Sequence, residues 1–226
     1  MAACLSLFAV AGPAQVVLSA LGQHDVVPPR FLGAIARICG LRVRTVGRPA
    51  VTPVLFLANH LSWLDVLALA GKTRTAFAGK DDLAGHPFLR WLCAQNDTLF
   101  LQRERRQTVA EQVALVRAAL RRRPLTIFPE GTTGNGVALL AFKSSLLAAA
   151  EDAHVAIQPV ALDYDDATEI AWGDEAGLAN LWTILARKEP VRLTVRFLAP
   201  LAGDAASARK PMAAAARAAI EASLRL

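Results

Sequence analysis

Residues 54–65 read Val-Leu-Phe-Leu-Ala-Asn-His-Leu-Ser-Trp-Leu-Asp, and the fold follows from this stretch. Its first five residues, Val54–Ala58, form an unbroken apolar run, which is typical of a strand buried on both faces. A helix-like stretch, Trp63–Ala70, begins a few residues later. A buried strand that leads into a helix is the repeating unit of an α/β sheet, where functional residues gather past the carboxyl ends of the strands.

The same alternation continues from Leu41 to the end of the chain. Strands are predicted at Leu41–Val46, Val54–Ala58, Thr75–Ala78, Thr98–Leu101, Leu125–Phe128, Val155–Leu162 and Val191–Phe197. Helices are predicted at Trp63–Ala70, Asp82–Cys93, Thr108–Arg122, Lys143–Asp152, Asp174–Leu185 and Ala205–Leu224, the last with Asp204 as its N-cap. We therefore predict that residues 41–226 form one α/β domain, with a mostly parallel central sheet flanked by helices.

The first 40 residues have a different character. Residues 1–22 carry no charged side chain, are interrupted by Gly12-Pro13, and are followed by Pro28-Pro29. A helix that spans a bilayer needs about 20 apolar residues, so the length is marginal, and no basic start typical of a signal peptide precedes Arg30. We predict that residues 1–40 form a membrane-associated helical hairpin at the interface. A pair of buried core helices is the alternative.

The composition favours contact with a membrane and with anions. Hydrophobic residues make up 54% of the 226 residues, and the mean hydropathy of +0.35 is high for a freely soluble protein. The net charge is +6, and seven arginines fall between Leu101 and Arg123. This run is either a solvated helix face or a surface that attracts phosphate groups, whereas nucleic acid ranks low because no aromatic residues are interleaved. Three dispersed cysteines predict neither a disulfide framework nor a zinc site, and favour a reducing compartment.

His60 and Asp65 follow the buried strand at a spacing that suits general-base chemistry. A carboxylate on one imidazole nitrogen fixes the tautomer and stabilises the imidazolium, so the other nitrogen is free to take a proton from an alcohol. Together they are the base and the orienting group of a catalytic triad, without a protein nucleophile. With 4 His and 11 Asp in the chain, the spacing alone is weak. The alternative is a local hydrogen bond for His60 and a helix cap for Asp65.

Three further segments place distinctive residues on or after predicted strands. Phe128–Gly136 contains three glycines, which let the backbone approach a ligand, and Glu130, which can bind a polyol or an ammonium group; an exposed turn is the alternative. Asp97–Arg106 ends in arginines that suit phosphate or carboxylate oxygens, although a basic helix start also accounts for them. Ile157–Val160, with a central proline, reads by itself as a core strand.

Taken together, the four segments resemble the glycerolipid acyltransferase family, whose bacterial member is 1-acylglycerol-3-phosphate acyltransferase. Asn59–Asp65 resembles its first motif, a His-x4-Asp, and Leu99–Arg103 is similar to its second. Phe128–Thr132 matches its third motif, and Ile157–Val160 is similar to its fourth. All four occur in the family's order across roughly residues 41–201, which is far more specific than any one motif.

The resemblance implies a role for each matched residue. His60 would be the general base and Asp65 its partner. Substrate contacts are implied for Asn59, Lys80, Arg103, Glu130, Gly131 and Thr132. The acyl donor would be a thioester on coenzyme A or on acyl carrier protein, with no metal or other cofactor and no nucleic-acid partner. Membrane lipids would be the other partner, at the cytoplasmic face of the inner membrane.

One departure from the family pattern concerns the lipid head group. Relatives that form phosphatidate usually continue their third motif with an arginine, where this chain has Thr133. A Thr-Thr-Gly continuation resembles relatives that acylate lyso-ornithine lipid. We therefore predict acyl transfer to a lysophospholipid, 1-acylglycerol-3-phosphate, with lyso-ornithine lipid as the alternative acceptor.

Two rival functions come from other classes. A lipid-directed serine hydrolase would use Ser62 or Ser144, but neither lies in a Gly-x-Ser-x-Gly turn. A non-catalytic lipid-binding protein would not need both His60 and Asp65, which are present. Covalent acyl-enzyme would identify the hydrolase, and binding without turnover would identify the lipid-binding protein.

Overall fold

The computed structural model describes residues 2–23, 25–51, 53–80, 93, 95–101, 109–151, 153–172 and 177–224. The helices are α1 (Ala2–Ala20), α2 (Val27–Ile38), α3 (Leu64–Thr73), α4 (Val109–Leu120), α5 (Ala167–Ile170), α6 (Gly177–Leu185) and α7 (Arg209–Ser223). The strands are β1 (Leu41–Val46), β2 (Val54–Ala58), β3 (Ala76–Lys80), β4 (Leu99–Leu101), β5 (Leu125–Ile127), β6 (Ala156–Tyr164) and β7 (Val191–Phe197). Short 3-10 helices lie at Ser145–Ala149 and Gly203–Ala206.

The seven strands form one sheet in the order β1-β7-β6-β2-β5-β3-β4. Every neighbouring pair runs parallel except β6 and β7, which are antiparallel. The prediction of a mostly parallel sheet is therefore confirmed. Because β2 lies between β5 and β6, both of its edges are paired, which accounts for its position in the core.

Strand β2 also shows how helices cover both faces of the sheet. Val54, Phe56 and Ala58 belong to a core cluster that includes residues of α2 and α3. Leu55 and Leu57 belong to a second cluster that includes residues of α4 and α7. Successive side chains of a strand point to opposite faces, so an unbroken apolar run is what two covered faces require.

The prolines of the N-terminal helices have different positions from those predicted. Helix α1 continues through Pro13, so Gly12-Pro13 does not break it. Pro28 and Pro29 lie in the first turn of α2 and do not end the preceding segment. Proline fits there because the N–H groups of the first turn have no partner within the helix.

Helix α2 is packed into the main core, whereas α1 is largely exposed. Gly33 of α2 faces Gly71 of α3 so closely that a Cβ at Gly71 would lie 2.9 Å from the Gly33 Cα. Helix α1 packs on α2 and exposes three large apolar side chains, Val10, Val16 and Val17, and Leu21 is exposed directly after it. Within the described ranges, none of the helices combines the length and the apolar character that crossing a bilayer requires.

Two predicted helical segments differ from the structure, and one lies outside it. The predicted helix Lys143–Asp152 is only the 3-10 helix Ser145–Ala149, whose Ala148 carbonyl accepts a hydrogen bond from Arg117 of α4. Asp204 is not the N-cap of the last helix, because it lies in the 3-10 helix before it and Ala208 takes the cap position. The predicted helix Asp82–Cys93 lies outside the described residues except for Cys93.

Glu151 takes the role that was predicted for Asp204. Its Oε1 accepts a hydrogen bond from the backbone N–H of Arg209 at 2.8 Å, at the start of α7. A helix N-terminus leaves its first N–H groups without intrahelical partners, so a carboxylate is stabilising there. The cap comes from 58 positions away, so the residues around Arg209 do not predict it.

Candidate active site

Three neighbouring strands bring their carboxyl ends to one edge of the sheet. Strand β2 pairs with β5 through Leu57 and Ile127, and with β6 through Ala58 and Val160. All three run in the same direction, so the residues that follow each of them meet at this edge. The segment 59–65 after β2, the segment 128–134 after β5 and the last residues of β6 therefore form one site.

His60 and Asp65 are in direct contact at this edge. The His60 Nδ1 lies 2.9 Å from the Asp65 Oδ2, so the predicted meeting of the two side chains is confirmed. Asp65 is fully buried, and its Oδ2 also accepts the backbone N–H groups of Leu61 at 2.7 Å and Ser62 at 2.9 Å. The Tyr164 hydroxyl donates to the Asp65 Oδ1 at 2.6 Å. Four donors thus fix the carboxylate before any substrate binds.

Local sequence explains why Asp65 turns back towards His60. Helix α3 begins at Leu64, which places Asp65 in its first turn, where backbone N–H groups attract a carboxylate. With Asp65 accepting at Nδ1, the neutral ring carries its proton on that nitrogen, and the Nε2 lone pair is available. Among the described residues, none forms a hydrogen bond with Nε2. The His60 side chain retains 19% exposure, so Nε2 can receive a proton from a substrate.

The ring and the main chain of His60 are both held by the segment after β5. The imidazole stacks on Phe128, with ring centroids 4.0 Å apart and planes 14° from parallel. The His60 N–H donates to the Glu130 Oε1 at 2.8 Å, and the His60 carbonyl accepts from the Gly134 N–H at 2.7 Å. His60 is therefore fixed at its ring nitrogen, its ring face and both main-chain groups.

Glu130, for which the resemblance implies a substrate contact, accepts hydrogen bonds from the main chain. Its side chain is buried, and its second oxygen, Oε2, accepts the N–H of Leu140 at 3.0 Å. Burial raises the pKa of Glu130, and the hydrogen bonds from His60 and Leu140 offset part of that effect. Gly131 takes a positive φ of 70°, so the chain turns sharply and the carboxylate points inward. Glu130 thus ties two loops together.

Asn59 is also a structural residue in this site. It is fully buried, and its amide donates to the carbonyl of Leu162 at 3.0 Å and accepts from the N–H of Leu162 at 2.7 Å. Both polar ends of the side chain are therefore engaged with β6. The substrate contact implied for Asn59 stays a prediction, and the role that the hydrogen bonds give this side chain is to hold the start of the segment 59–65 against β6.

The other implied substrate contacts are placed only in part. Thr132 is exposed on the turn after Glu130. Lys80 ends β3, at the same edge of the sheet, and its side chain lies outside the description. Arg103 lies outside the described residues.

Tyr164 is the site residue that sequence reasoning missed. It ends β6, four positions beyond Val160, which pairs with Ala58. Burial, and then the neighbouring Asp65 carboxylate, raises the pKa of Tyr164 well above its usual value, so the hydroxyl remains a donor. The signal available in the sequence was its position at the end of a parallel strand beside the His60 strand, in a chain with only 1 tyrosine.

Tyr164→Phe is expected to lower kcat roughly 10- to 100-fold, because the lost hydrogen bond to charged Asp65, worth about 1.5–3 kcal/mol, loosens the carboxylate that orients the His60 ring. The KM for the lysolipid should stay within about twofold, because Tyr164 contacts Asp65 and acts on His60 only through it. Steady-state kcat and KM measure the effect. Thr126→Val is a matched control, because it removes a buried hydroxyl that pairs with Thr75 away from the dyad. A kcat equal to that of the wild type would remove Tyr164 from the site.

Thr133 links the segment 128–134 after β5 (the glycine loop) to the segment 59–65 after β2, which carries the His60–Asp65 dyad. One residue, Trp172, lies between them. The Thr133 hydroxyl donates to the carbonyl of Trp172 at 2.6 Å, and the Trp172 N–H donates to the carbonyl of Leu61 at 2.7 Å. The position where phosphatidate-forming relatives usually have an arginine is thus occupied by a side chain that braces the loop. It contributes no positive charge to a head-group site.

Comparison with known proteins shows the family of this chain. Residues 42–163 match the profile of the Acyltransferase family. The chain is 33% identical over 213 residues to the lyso-ornithine lipid O-acyltransferase of Rhodobacter capsulatus, covering 88% of this chain and 77% of that protein. It is 33% identical over 170 residues to the 1-acyl-sn-glycerol-3-phosphate acyltransferase of Neisseria meningitidis, covering 71% and 66% respectively.

A solved structure supports the fold independently. The 1-acyl-sn-glycerophosphate acyltransferase of Thermotoga maritima superimposes with a TM-score of 0.73, covering 97% of this chain and 92% of that one at 18% identity. Together with the family match, which spans the His60–Asp65 dyad and the glycine loop, this agreement covers the sheet and its functional edge. The chain therefore belongs to the acyltransferase family that contains the 1-acylglycerol-3-phosphate and lyso-ornithine lipid O-acyltransferases.

Proposed function

We propose that this protein transfers a fatty acyl group from a thioester to the hydroxyl of a lysolipid, with lyso-ornithine lipid as its acceptor. The observation that carries the proposal is the His60–Asp65 contact, in which a buried, four-fold hydrogen-bonded carboxylate leaves the Nε2 of a partly exposed imidazole available. This arrangement suits deprotonation of an alcohol.

The proposed reaction needs no covalent enzyme intermediate. His60 Nε2 takes the proton of the lysolipid hydroxyl while the hydroxyl oxygen attacks the thioester carbonyl carbon. Asp65 stabilises the imidazolium that forms. The tetrahedral intermediate then collapses, the C–S bond breaks, and the imidazolium returns its proton to the departing thiolate. The products are the diacylated lipid and a free thiol, and His60 is again neutral.

Two observations support lyso-ornithine lipid as the acceptor. Thr133 donates its hydroxyl to the carbonyl of Trp172 and offers no cation for a phosphate. Relatives named lyso-ornithine lipid O-acyltransferases, from Rhodobacter capsulatus and Brucella abortus, match 88% and 85% of this chain. The second candidate is 1-acylglycerol-3-phosphate, which the Neisseria relative and the arginines predicted after β4 favour.

The proposed place of action is the cytoplasmic face of the inner membrane. Helix α1 exposes Val10, Val16 and Val17, and the sequence has no charged residue before Asp25. An uncharged helix with exposed apolar side chains suits the boundary between head groups and acyl chains. Contact there would bring the site to the surface that holds the acceptor.

The proposal is tested by incubating the purified protein with one labelled acyl thioester and a panel of lysolipids. The product is then identified by its mass. We expect O-acylated ornithine lipid in the wild type. Activity confined to 1-acylglycerol-3-phosphate would support acyl transfer but refute lyso-ornithine lipid as the acceptor. Release of free fatty acid alone would indicate a hydrolase.

Thr133→Arg is expected to shift the preference towards 1-acylglycerol-3-phosphate by about tenfold in relative kcat/KM, because an arginine fork adds a charge-assisted contact to phosphate. Thr133→Val is the matched control. It removes the hydrogen bond to Trp172 without adding a cation, so it lowers activity towards both acceptors alike. An unchanged ratio in the arginine variant would remove position 133 from head-group selection.

A further inference from the structure

The β1–β7 edge of the sheet has two faces of opposite character. On one face, Leu41 of β1 and Val191, Leu193 and Val195 of β7 belong to the core cluster that includes α2 and α3. On the other face, four of the six alternate positions carry arginines, and the other two are Val46 and Thr194. The arginines are Arg42 and Arg44 on β1 and Arg192 and Arg196 on β7. We call these four side chains the arginine face.

The arginine face is exposed. The helix on that side of the sheet, α7, packs over β6, one strand further in. Arg42, Arg44 and Arg192 are exposed, and Arg196 is half-buried against Asp163, with which it forms an ion pair at 2.7 Å. Among the described residues, the three exposed guanidinium groups have no acidic partner. Their charge is therefore available to another molecule.

The arrangement of these charges is unfavourable for the protein alone. Arg42 lies in register with Arg192, and Arg44 follows one pleat further along β1. Like charges on neighbouring strands repel each other. The two strands nevertheless carry several guanidinium groups close together. Such an array of arginines can bind several carboxylates or phosphates at once.

The position of the array relates it to the active site. Strand β7 is antiparallel to β6, and Leu193 pairs with Tyr164, so Arg192 and Arg42 lie at the edge of the sheet that holds the dyad. Neighbouring strands are about 4.8 Å apart, which places β7 roughly 10 Å from β2. An anionic partner on this face would therefore stand beside the site without filling it.

The direction of the array distinguishes between two kinds of partner. Helix α1, with its exposed apolar side chains, packs on α2, and α2 covers the opposite face of the sheet. If α1 lies on the membrane, the arginine face is turned towards the aqueous phase. Charge complementarity then favours a soluble acidic protein over an anionic bilayer.

We propose that the arginine face docks an acidic acyl carrier protein that delivers the thioester to His60. This inference rests on the proposed function, since it names the source of the acyl group. Docking at Arg42 and Arg192 would hold the carrier at the site's edge, and its thioester-bearing arm would extend along the carboxyl ends of β6 and β2. Binding should weaken with salt, as expected for exposed charges.

The test compares two double variants with equal changes in charge. Arg42→Glu with Arg192→Glu reverses the array at the active-site edge. Arg121→Glu with Arg122→Glu reverses two exposed arginines that lie between α4 and β5, at the opposite edge. Initial rates are measured with palmitoyl-acyl carrier protein and with palmitoyl-coenzyme A. Binding of holo-acyl carrier protein is measured separately by calorimetry, which requires no turnover.

We expect the first double variant to raise the KM for palmitoyl-acyl carrier protein about tenfold or more, with kcat within about twofold and the KM for palmitoyl-coenzyme A unchanged. The control pair should behave like the wild type. Three results would overturn the proposal: an unchanged KM for the carrier, equal losses with both donors, or loss of binding to phosphatidylglycerol vesicles alone. Wild-type turnover of palmitoyl-coenzyme A without any use of the carrier would also overturn it while leaving the proposed function intact.

Discussion

Replacing His60 with alanine is expected to lower kcat by about 10³-fold or more, since a positioned general base contributes roughly 10²–10⁴ and this site has one available imidazole nitrogen. The alcohol of the acceptor has a pKa far above 7, so it does not ionise without a base at the reacting oxygen. The measurement is transfer from a labelled acyl thioester to the preferred lysolipid, at saturating concentrations of both.

The fold should survive this change, which makes the result interpretable. Asp65 would keep its donors Leu61, Ser62 and Tyr164, so its buried charge remains hydrogen-bonded. The matched control is His154→Asn, because His154 is exposed and has a positive φ of 49°, which asparagine tolerates. Transfer near the wild-type rate in the alanine variant would refute the role of His60 as base.

Glu130→Gln is expected to lower kcat about 10²-fold while the KM for the lysolipid stays within about twofold, because misplacing a catalytic group by about 1 Å costs this much. Each carboxylate oxygen accepts a main-chain N–H, one from His60 and one from Leu140. Glutamine has one acceptor oxygen, so its NH2 group must face one of those N–H groups. The steady-state parameters of the variant measure the effect.

The same variant separates two roles for Glu130. A head-group ligand would raise the KM for the lysolipid and leave kcat nearly unchanged, and that outcome would contradict the structural role argued from the hydrogen bonds. Glu130→Asp is the companion variant. It keeps both acceptor oxygens on a shorter side chain and should recover part of the lost kcat.

Stability as a function of pH gives a second measurement on Glu130→Gln. Burial raises the pKa of Glu130 above its ordinary value of 4.5, so the folded state favours the protonated form more than the unfolded chain does. The stabilisation from this group is therefore complete below 4.5 and is lost as pH rises through the folded pKa. The free energy of unfolding of the glutamine variant, measured with urea, should decline less over that range.

Local pattern was sufficient for much of the fold. The apolar run Val54–Ala58 predicted a strand buried on both faces, and β2 has those bounds. The spacing of His60 and Asp65 predicted a contact that the first turn of α3 enforces. These features rest on residues within a few positions of one another, so their geometry follows from strand and helix periodicity alone.

Local pattern failed where the deciding partner is remote in sequence. A helix was predicted at Lys143–Asp152, but the structure has only a 3-10 helix there, at Ser145–Ala149. Its Ala148 carbonyl accepts a hydrogen bond from Arg117 of α4. Asp204 was replaced as a cap by Glu151, which reaches the start of α7 across the chain. In both cases the deciding hydrogen bond joins residues that are far apart in the sequence, by 31 and 58 positions.

The sequence by itself determined the α/β architecture, the dyad and the family to which the chain belongs. Only the tertiary structure decided that Tyr164 anchors Asp65, that Glu130 holds the main chain of His60, and that Asn59 binds β6. Those partners are separated by 99, 70 and 103 positions respectively. Parallel strands bring such residues together only when the strand order is set, and that order depends on how both faces of the sheet are buried.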